Sequence, residues 1–181
     1  MTLLVISPDY ASHYGPLAVM ARAAQQAGRR VVIATGHSLR PRVKVEGFEW
    51  RELNLAASSN SGVVTRNASI DRFLAATRQG PLDTIRYQAM QRQVDLLWNP
   101  EQVVGSVTAL YKDLEPEEVL VDHVSFGSTL AMYAIGEDFM TLVPGHPSQL
   151  PVGKERYGIP AEWPACMRPD NEQLNEVERL A

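Results

Sequence analysis

At 181 residues, with 45% hydrophobic and 21% charged content, the chain has the length and balance of one globular domain with a sizeable core. Its 17 basic and 21 acidic residues give a formal net charge of −4, and the basic ones cluster only at Arg29-Arg30 and Arg40 to Lys44. The composition therefore argues against nucleic acid as the main partner, which needs a concentrated basic surface. A single cysteine, Cys166, excludes an internal disulfide framework. The amino-terminal apolar run of about five residues is too short for a signal peptide or a membrane span, so the expectation is a cytoplasmic protein with no membrane span.

Leu3 to Ser7 reads as a buried strand, followed by a turn-rich loop that carries His13. A helix is expected to begin near Gly15-Pro16, since proline suits a first helical turn. Leu17, Met20, Ala21, Ala24 and Ala27 keep helical spacing, and Gly28 supplies the stop. Val31-Val32-Ile33-Ala34 is a second strand, apolar without a break as a strand covered on both faces must be. Two strand–helix passes in so short a stretch predict a parallel sheet with right-handed crossovers.

Phe48 to Leu53 alternates with period two and reads as a third strand. From Asn54 to Ser69 the chain is polar and small, centred on Ser58-Ser59-Asn60-Ser61-Gly62, a long loop that is either an excursion or part of a binding site. Helices follow over Ile70 to Thr77, from Pro81 with Leu82, Ile85, Ala89, Val94 and Leu97 on one face, and from Glu101 to about Asp113. Val119-Leu120-Val121 is the fourth strand and ends in Asp122; Ser125 to Gly136 is a helix; Phe139 to Val143 is the fifth strand. The stretch from Pro144 to Pro169 is too rich in proline for a regular element. At the end, Asp170 is a good N-cap, and Leu174, Val177 and Leu180 form an apolar stripe with no stop signal after it. That pattern predicts a chain cut within a helix, as in a fragment or a truncated gene product.

The fold expected is α/β: a doubly wound, mostly parallel Rossmann-like sheet with helices on both faces, and the whole of 1–181 reads as one domain. If the strand order is 3-2-1-4-5, strands one and four are neighbours at the switch point, where open α/β sheets place their ligands. His13 then faces Asp122 across the crevice. A carboxylate that accepts from one imidazole nitrogen fixes the tautomer and leaves the other nitrogen to take a proton from a substrate. Taken singly, His13 also reads as a surface histidine in a polar turn, and Asp122 as a turn or helix-capping residue.

Several chemistries have no sequence signal. There is no G-x-G-x-x-G after the first strand, no P-loop motif, and Phe126-Gly127-Ser128-Thr129-Leu130 is not a nucleophile elbow. The histidines, His13, His37, His123 and His146, lack metal-ligand spacing, so no metal site is expected. Cys166 lies in a loop without a basic neighbour to activate it and reads as an inert thiol.

His13-Tyr14-Gly15-Pro16-Leu17 resembles the H-x-x-P-L element that follows the first strand in GT-B nucleotide-sugar glycosyltransferases of the UDP-glycosyltransferase-like superfamily. Ser12 stands where that family usually has glycine before the histidine. Gln26 to Gly36 is similar to the family's A-x-G-H-x-V-x-x-A-T segment, with Arg29 where histidine is common. Glu115-Pro116 through Val121-Asp122 is similar to its P-D-x-V-V-x-D strand, and Phe139 to Pro147 to its next strand and loop. The resemblance covers nearly the whole chain, as an amino-terminal, acceptor-binding domain.

The resemblance implies a half of an inverting glycosyltransferase that moves a sugar from a nucleotide donor to a small hydroxylated acceptor. His13 would be the base and Asp122 its orienting partner, with Gly15, Ser125 and His146 as substrate-binding positions. The loop over Asn54 to Ser69 and the helix from Pro81 would help line the acceptor pocket, and His146 equally suits a structural role in its loop. It also implies that no cofactor is bound by this chain: the nucleotide-sugar donor belongs to a carboxyl-terminal donor-binding domain or subunit, without which this chain is inactive. Two other readings compete: a non-catalytic module that binds an acceptor or a partner and lacks a donor site, and an unrelated flavodoxin-like domain.

Overall fold

The apolar runs of the sequence become a five-stranded, all-parallel sheet: β1 (Thr2–Ile6), β2 (Arg30–Thr35), β3 (Glu49–Glu52), β4 (Glu118–Asp122) and β5 (Met140–Leu142), in the order β3-β2-β1-β4-β5. This computed structural model describes residues 1–55, 68–95, 98–145 and 147–180. The helices among them are α1 (Ala11–Gln26), α2 (Arg40–Val45), α3 (Ala68–Gln79), α4 (Pro81–Asp95), α5 (Pro100–Leu114), α6 (Phe126–Ile135) and α7 (Asn171–Leu180). The order reverses between β1 and β4, which are paired in register with Val5 beside Leu120 and Ile6 beside Val121. The expected doubly wound α/β class and strand order are the ones observed.

The alternation of side chains along each strand explains why the runs are continuously apolar. Leu3 and Val5 of β1 pack on one face with Tyr14, Leu17 and Ala21 of α1 and Val43 of α2. Leu4 and Ile6 pack on the other with Val103 and Val107 of α5 and Ala131 and Met132 of α6. Each face thus has its own core, and a polar residue at any of these positions would be buried. Gly28, at φ +80°, ends α1 in the left-handed conformation that glycine adopts at low cost and turns the chain into β2.

Two local expectations are corrected. α1 begins at Ala11 rather than near Gly15-Pro16, because the Tyr10 carbonyl accepts from the amides of His13 (3.1 Å) and Tyr14 (2.9 Å) and starts the helix there. Pro16 is therefore inside the helix; it has no amide to give the carbonyl of Ser12, but Ser12 is exposed, so water can serve that carbonyl. Gly15, lacking Cβ, avoids the clash that a residue before proline meets in a helix. His13 accordingly lies in the first turn of a helix, not in a loop. The second correction is α2, a short helix with Pro41 in its first turn, which reads in the sequence only as a basic cluster.

The chain clusters into two compact units: Met1–Val64 with Asp95–Pro144, and Thr65–Val94 with Gly145–Ala181. The first holds the sheet. In the second, Ala89, Ile159 and Val177 are buried, with Leu82, Ile85, Trp163, Leu174 and Leu180 packed against them. The apolar stripe of α7 is thus the expected one. Its start is a capping box: the Gln173 amide donates to Asp170 Oδ1 (2.8 Å) and the Asp170 amide donates to Gln173 Oε1 (2.9 Å). The proline-rich stretch holds single 3-10 turns at Pro147–Gln149 and Ala165–Met167. Cys166 is free and exposed.

Candidate active site

The carboxyl ends of β1, β2 and β4 gather the buried polar residues among those described: Ser7, Thr35, Asp122, His123, Ser125 and Ser128. Burying so many polar groups at one end of a sheet costs stability unless they are bonded, so their concentration marks a site rather than a core. The loop from β1 to α1 is fixed first. The Ser7 amide donates to the Ala34 carbonyl (3.0 Å) and the Ser7 hydroxyl to the Pro8 carbonyl (2.9 Å). Asp9 then accepts from the amides of Ser38 (3.2 Å) and Leu39 (3.1 Å), tying the loop to the turn after β2. Gly36 makes this approach possible, since a Cβ there would lie 2.5 Å from Asp9 Oδ2.

On that anchored loop, α1 presents His13. Its Nδ1 lies 3.0 Å from both Oδ1 and Oδ2 of Asp122, the last residue of β4. A carboxylate oxygen only accepts, so this contact suits the neutral tautomer with its proton on Nδ1 and its lone pair on Nε2. Asp122 is fully buried, whereas the His13 side chain is 23% exposed. Asp122 Oδ1 also accepts from the Val124 amide at 3.0 Å, which holds the carboxylate in place independently of the histidine. The pairing expected from topology is therefore a contact in the structure, between residues 109 positions apart.

His123 joins this pair. Its Nδ1 is 3.6 Å from Asp122 Oδ1, and its ring centroid is 5.6 Å from that of His13, inclined at 33°. One ligand atom from each of His13, Asp122 and His123 can be chosen so that all three lie within 4.8 Å of one another. Sequence spacing does not reveal this cluster, because one member comes from α1 and two from the end of β4. The only local signal is that His123 directly follows the strand-ending aspartate. Tyr10 adds a tilted ring contact to His13 at 6.0 Å between centroids.

Gly15 is the fifth residue of α1; beyond its chain neighbours and its own helix backbone nothing lies within 4 Å of where a Cβ would sit, so only the following Pro16, and not tertiary packing, favours glycine there. Ser125 is the N-cap of α6 by its backbone, accepting from the Thr129 amide, while its amide donates to the Asp122 carbonyl (both 3.0 Å). Its hydroxyl is buried and has no hydrogen-bond partner among the described residues, and the same holds for Ser128. His146 lies outside the described residues, as does the stretch centred on Ser58 to Gly62. His37 makes an edge contact with Trp50 and is not part of the cluster.

The neighbour of His13 on α1 has a different task. Tyr14 is fully buried and donates to Glu46 Oε2 at 2.6 Å, with the Arg42 guanidinium 4.9 Å over its ring. Burial, then the bond to Glu46, pushes the Tyr14 phenol well above its ordinary range. Burial alone would raise the Glu46 carboxyl, but the hydrogen bonds from Tyr14 and Arg42 outweigh it and hold it below the ordinary carboxylate range.

No family model matches the chain, and no curated protein matches it. Solved structures do. Spinosyn rhamnosyltransferase SpnG complexed with spinosyn aglycone matches with a TM-score of 0.56 and 16% identity over 78% of this chain and 34% of that one. Glycosyltransferase VinC in complex with dTDP matches with a TM-score of 0.51 and 14% identity over 77% and 33%. SsfS6, a glycosyltransferase of Streptomyces sp. SF2575, matches with a TM-score of 0.50 and 17% identity over 78% and 38%. The chain spans about a third of the length of these glycosyltransferases. Its α/β sheet is a Rossmann-like unit with the fold found in GT-B glycosyltransferases.

Proposed function

We propose that this chain is the acceptor-binding part of an inverting glycosyltransferase, in which His13 is the general base and Asp122 its positioning residue. The observation that carries the reading is the bond from His13 Nδ1 to both oxygens of buried Asp122, at the switch point of the sheet. With its proton held at Nδ1, the imidazole takes the proton of an acceptor hydroxyl at Nε2. The freed oxygen attacks the anomeric carbon of the donor sugar; the bond from that carbon to the diphosphate oxygen breaks, and the diphosphate leaves with the electron pair. Asp122 then stabilises the imidazolium. General-base catalysis of this kind contributes about 10²–10⁴-fold.

The fold neighbours support the ligand classes. SpnG has been seen with an aglycone and with thymidine diphosphate. For this chain we take the acceptor to be a small hydroxylated molecule bound beside His13, with Gly15 and Ser125 as candidate contacts. The nucleotide-sugar donor belongs to a second, donor-binding domain or subunit, in line with the third of those enzymes that this chain spans.

The test is sugar transfer by this chain together with its donor-binding half, comparing the parent with His13→Ala at saturating acceptor. We expect kcat to fall by about 10²–10⁴-fold while acceptor affinity changes little. An unchanged kcat would remove His13 from the chemistry, and acceptor binding without any transfer would favour the non-catalytic module.

A further inference from the structure

The geometry points to a second use of the same corner: a binding site for a borderline divalent transition metal, zinc(II) above all, formed by His13, Asp122 and His123. In a tetrahedral zinc site with bonds of about 2.0–2.1 Å, neighbouring ligand atoms stand roughly 3.3 Å apart. Here His13 Nδ1 is 3.0 Å from Asp122 Oδ1, and His123 Nδ1 is 3.6 Å from the same oxygen, so the two measured separations bracket that spacing. With one nitrogen taken from each imidazole and one oxygen from the carboxylate, three ligand atoms can be chosen that all lie within 4.8 Å of one another. Two imidazoles and one carboxylate are the donor set that suits zinc, cobalt or nickel. Magnesium and calcium require oxygen ligands throughout.

The surroundings meet the other requirements of a metal site. Asp122 and His123 are buried and adjacent in sequence, and the Val124 amide donates to Asp122 Oδ1 and holds the carboxylate. Such outer contacts orient ligands before the ion arrives. His13 is the partly exposed member and provides the route of entry. Three protein ligands leave the fourth position of a tetrahedron for water.

Metal binding and the hydrogen-bonded pair exclude each other. Nδ1 of His13 cannot donate a proton to Asp122 and hold a metal ion at once. In the zinc form the neutral imidazole carries its proton on Nε2, where it is a donor and cannot accept the proton of an acceptor hydroxyl. Zinc would therefore inhibit sugar transfer. That consequence rests on the base reading proposed above, whereas the binding itself does not.

The experiment titrates zinc(II) into the full chain against a chromophoric chelator and follows the imidazole nitrogens of His13 by long-range proton–nitrogen NMR. One equivalent is expected to bind and to move the His13 proton from Nδ1 to Nε2, with cobalt(II) giving a four-coordinate absorption spectrum. His123→Gln is expected to weaken binding by about tenfold or more while leaving the metal-free Nδ1 proton in place; His37→Gln should bind like the parent. Zinc that binds without moving the His13 proton, or equally well to His123→Gln, overturns the proposal, as does the absence of stoichiometric binding. Should His123→Gln fail to fold, the proton position in the parent decides alone. Loss of transfer in metal-free His13→Ala would leave the base reading standing whichever way the zinc titration falls.

Discussion

At the amino ends of the strands, Arg29 meets Glu118 at 2.8 Å and Arg30 grips Glu49 with bonds of 2.9 and 2.8 Å, all four side chains 20–49% exposed. At the carboxyl ends, His13 meets Asp122 at 3.0 Å with the carboxylate wholly removed from water. The distances are nearly the same. Solvent screening makes the first set worth little and leaves the protein indifferent to its loss. Burial makes the second costly to maintain without hydrogen bonds, and the fold supplies them from His13 and the Val124 amide. Length of contact therefore says little about what a charged pair does; the access of water to it says more.

Asp122→Asn should have the largest effect. The shape is kept, but the amide has one acceptor oxygen where the carboxylate had two, and it can turn a donor toward His13. The expected result is loss of the Nδ1 proton signal of His13 in proton–nitrogen NMR, and a fall of about 10²–10⁴-fold in transfer by the complete assembly. Folding should weaken by only about 1–3 kcal/mol, the usual cost of an ill-matched buried polar group. If the tautomer and the rate both stayed as in the parent, the two ends of the sheet would be equivalent after all.

Next in size is Tyr14→Phe, which breaks the bond from a buried phenol to a partly buried carboxylate, built one residue away from His13 but assigned to stability. Loss of the 2.6 Å bond to Glu46 should cost about 1.5–3 kcal/mol in urea unfolding, with the His13 tautomer unchanged. The pH dependence follows from the directions of the two shifts. Glu46 is held below its ordinary 4.5, so its contribution is present above that pH and is lost as pH falls through the folded value. Tyr14 is raised above 10.0, so its contribution is present below that pH and is lost as pH rises beyond it. The variant should show a flatter stability profile at both extremes.

These neighbours also show what a sequence can and cannot disclose. The parallel sheet was legible because Leu3 to Ile6 and Val31 to Ala34 are apolar at every position, which only a strand covered on both faces requires. The pairing of His13 with Asp122 followed from strand order, a property of topology. The start of α1 did not, because Pro16 is the strongest local signal for a first turn and the deciding bonds are made by the Tyr10 carbonyl. The part of His123 in the corner was hidden for the same kind of reason: its relation to His13 exists only when β1 and β4 are side by side. The anchor of the site loop was equally out of reach, since Asp9 and Gly36 meet across two strands.

That anchor gives a smaller, separable effect. Gly36→Ala would place a methyl group against the Asp9 carboxylate, which must move and loosen its bonds to the Ser38 and Leu39 amides. Overpacking of this kind costs about 1–3 kcal/mol. Measured by urea, the midpoint should fall with the slope unchanged, since the surface exposed on unfolding is the same. This variant disturbs the carboxyl end of the sheet without replacing His13 or Asp122.

Arg30→Ala should have the smallest effect of all. Arg30 is half exposed and its partner Glu49 more than a third, so water and salt already screen the pair. Glu49 also keeps a second guanidinium within reach, Arg51 at 3.5 Å, and is not left isolated. The hydrogen bond from Arg30 holds the Glu49 carboxyl below its ordinary 4.5, against the opposing push of burial. Whatever the pair contributes is therefore present above that pH and disappears as pH falls through the folded value. The urea midpoint at neutral pH should stay within the scatter of repeat measurements, with any residual difference vanishing in about 1 M salt, where the screening length is about 3 Å. A drop as large as that of Tyr14→Phe would mean that the amino end of the sheet depends on its charges as strongly as the core depends on its buried pairs, and the contrast between the two ends would have to be drawn from chemistry alone.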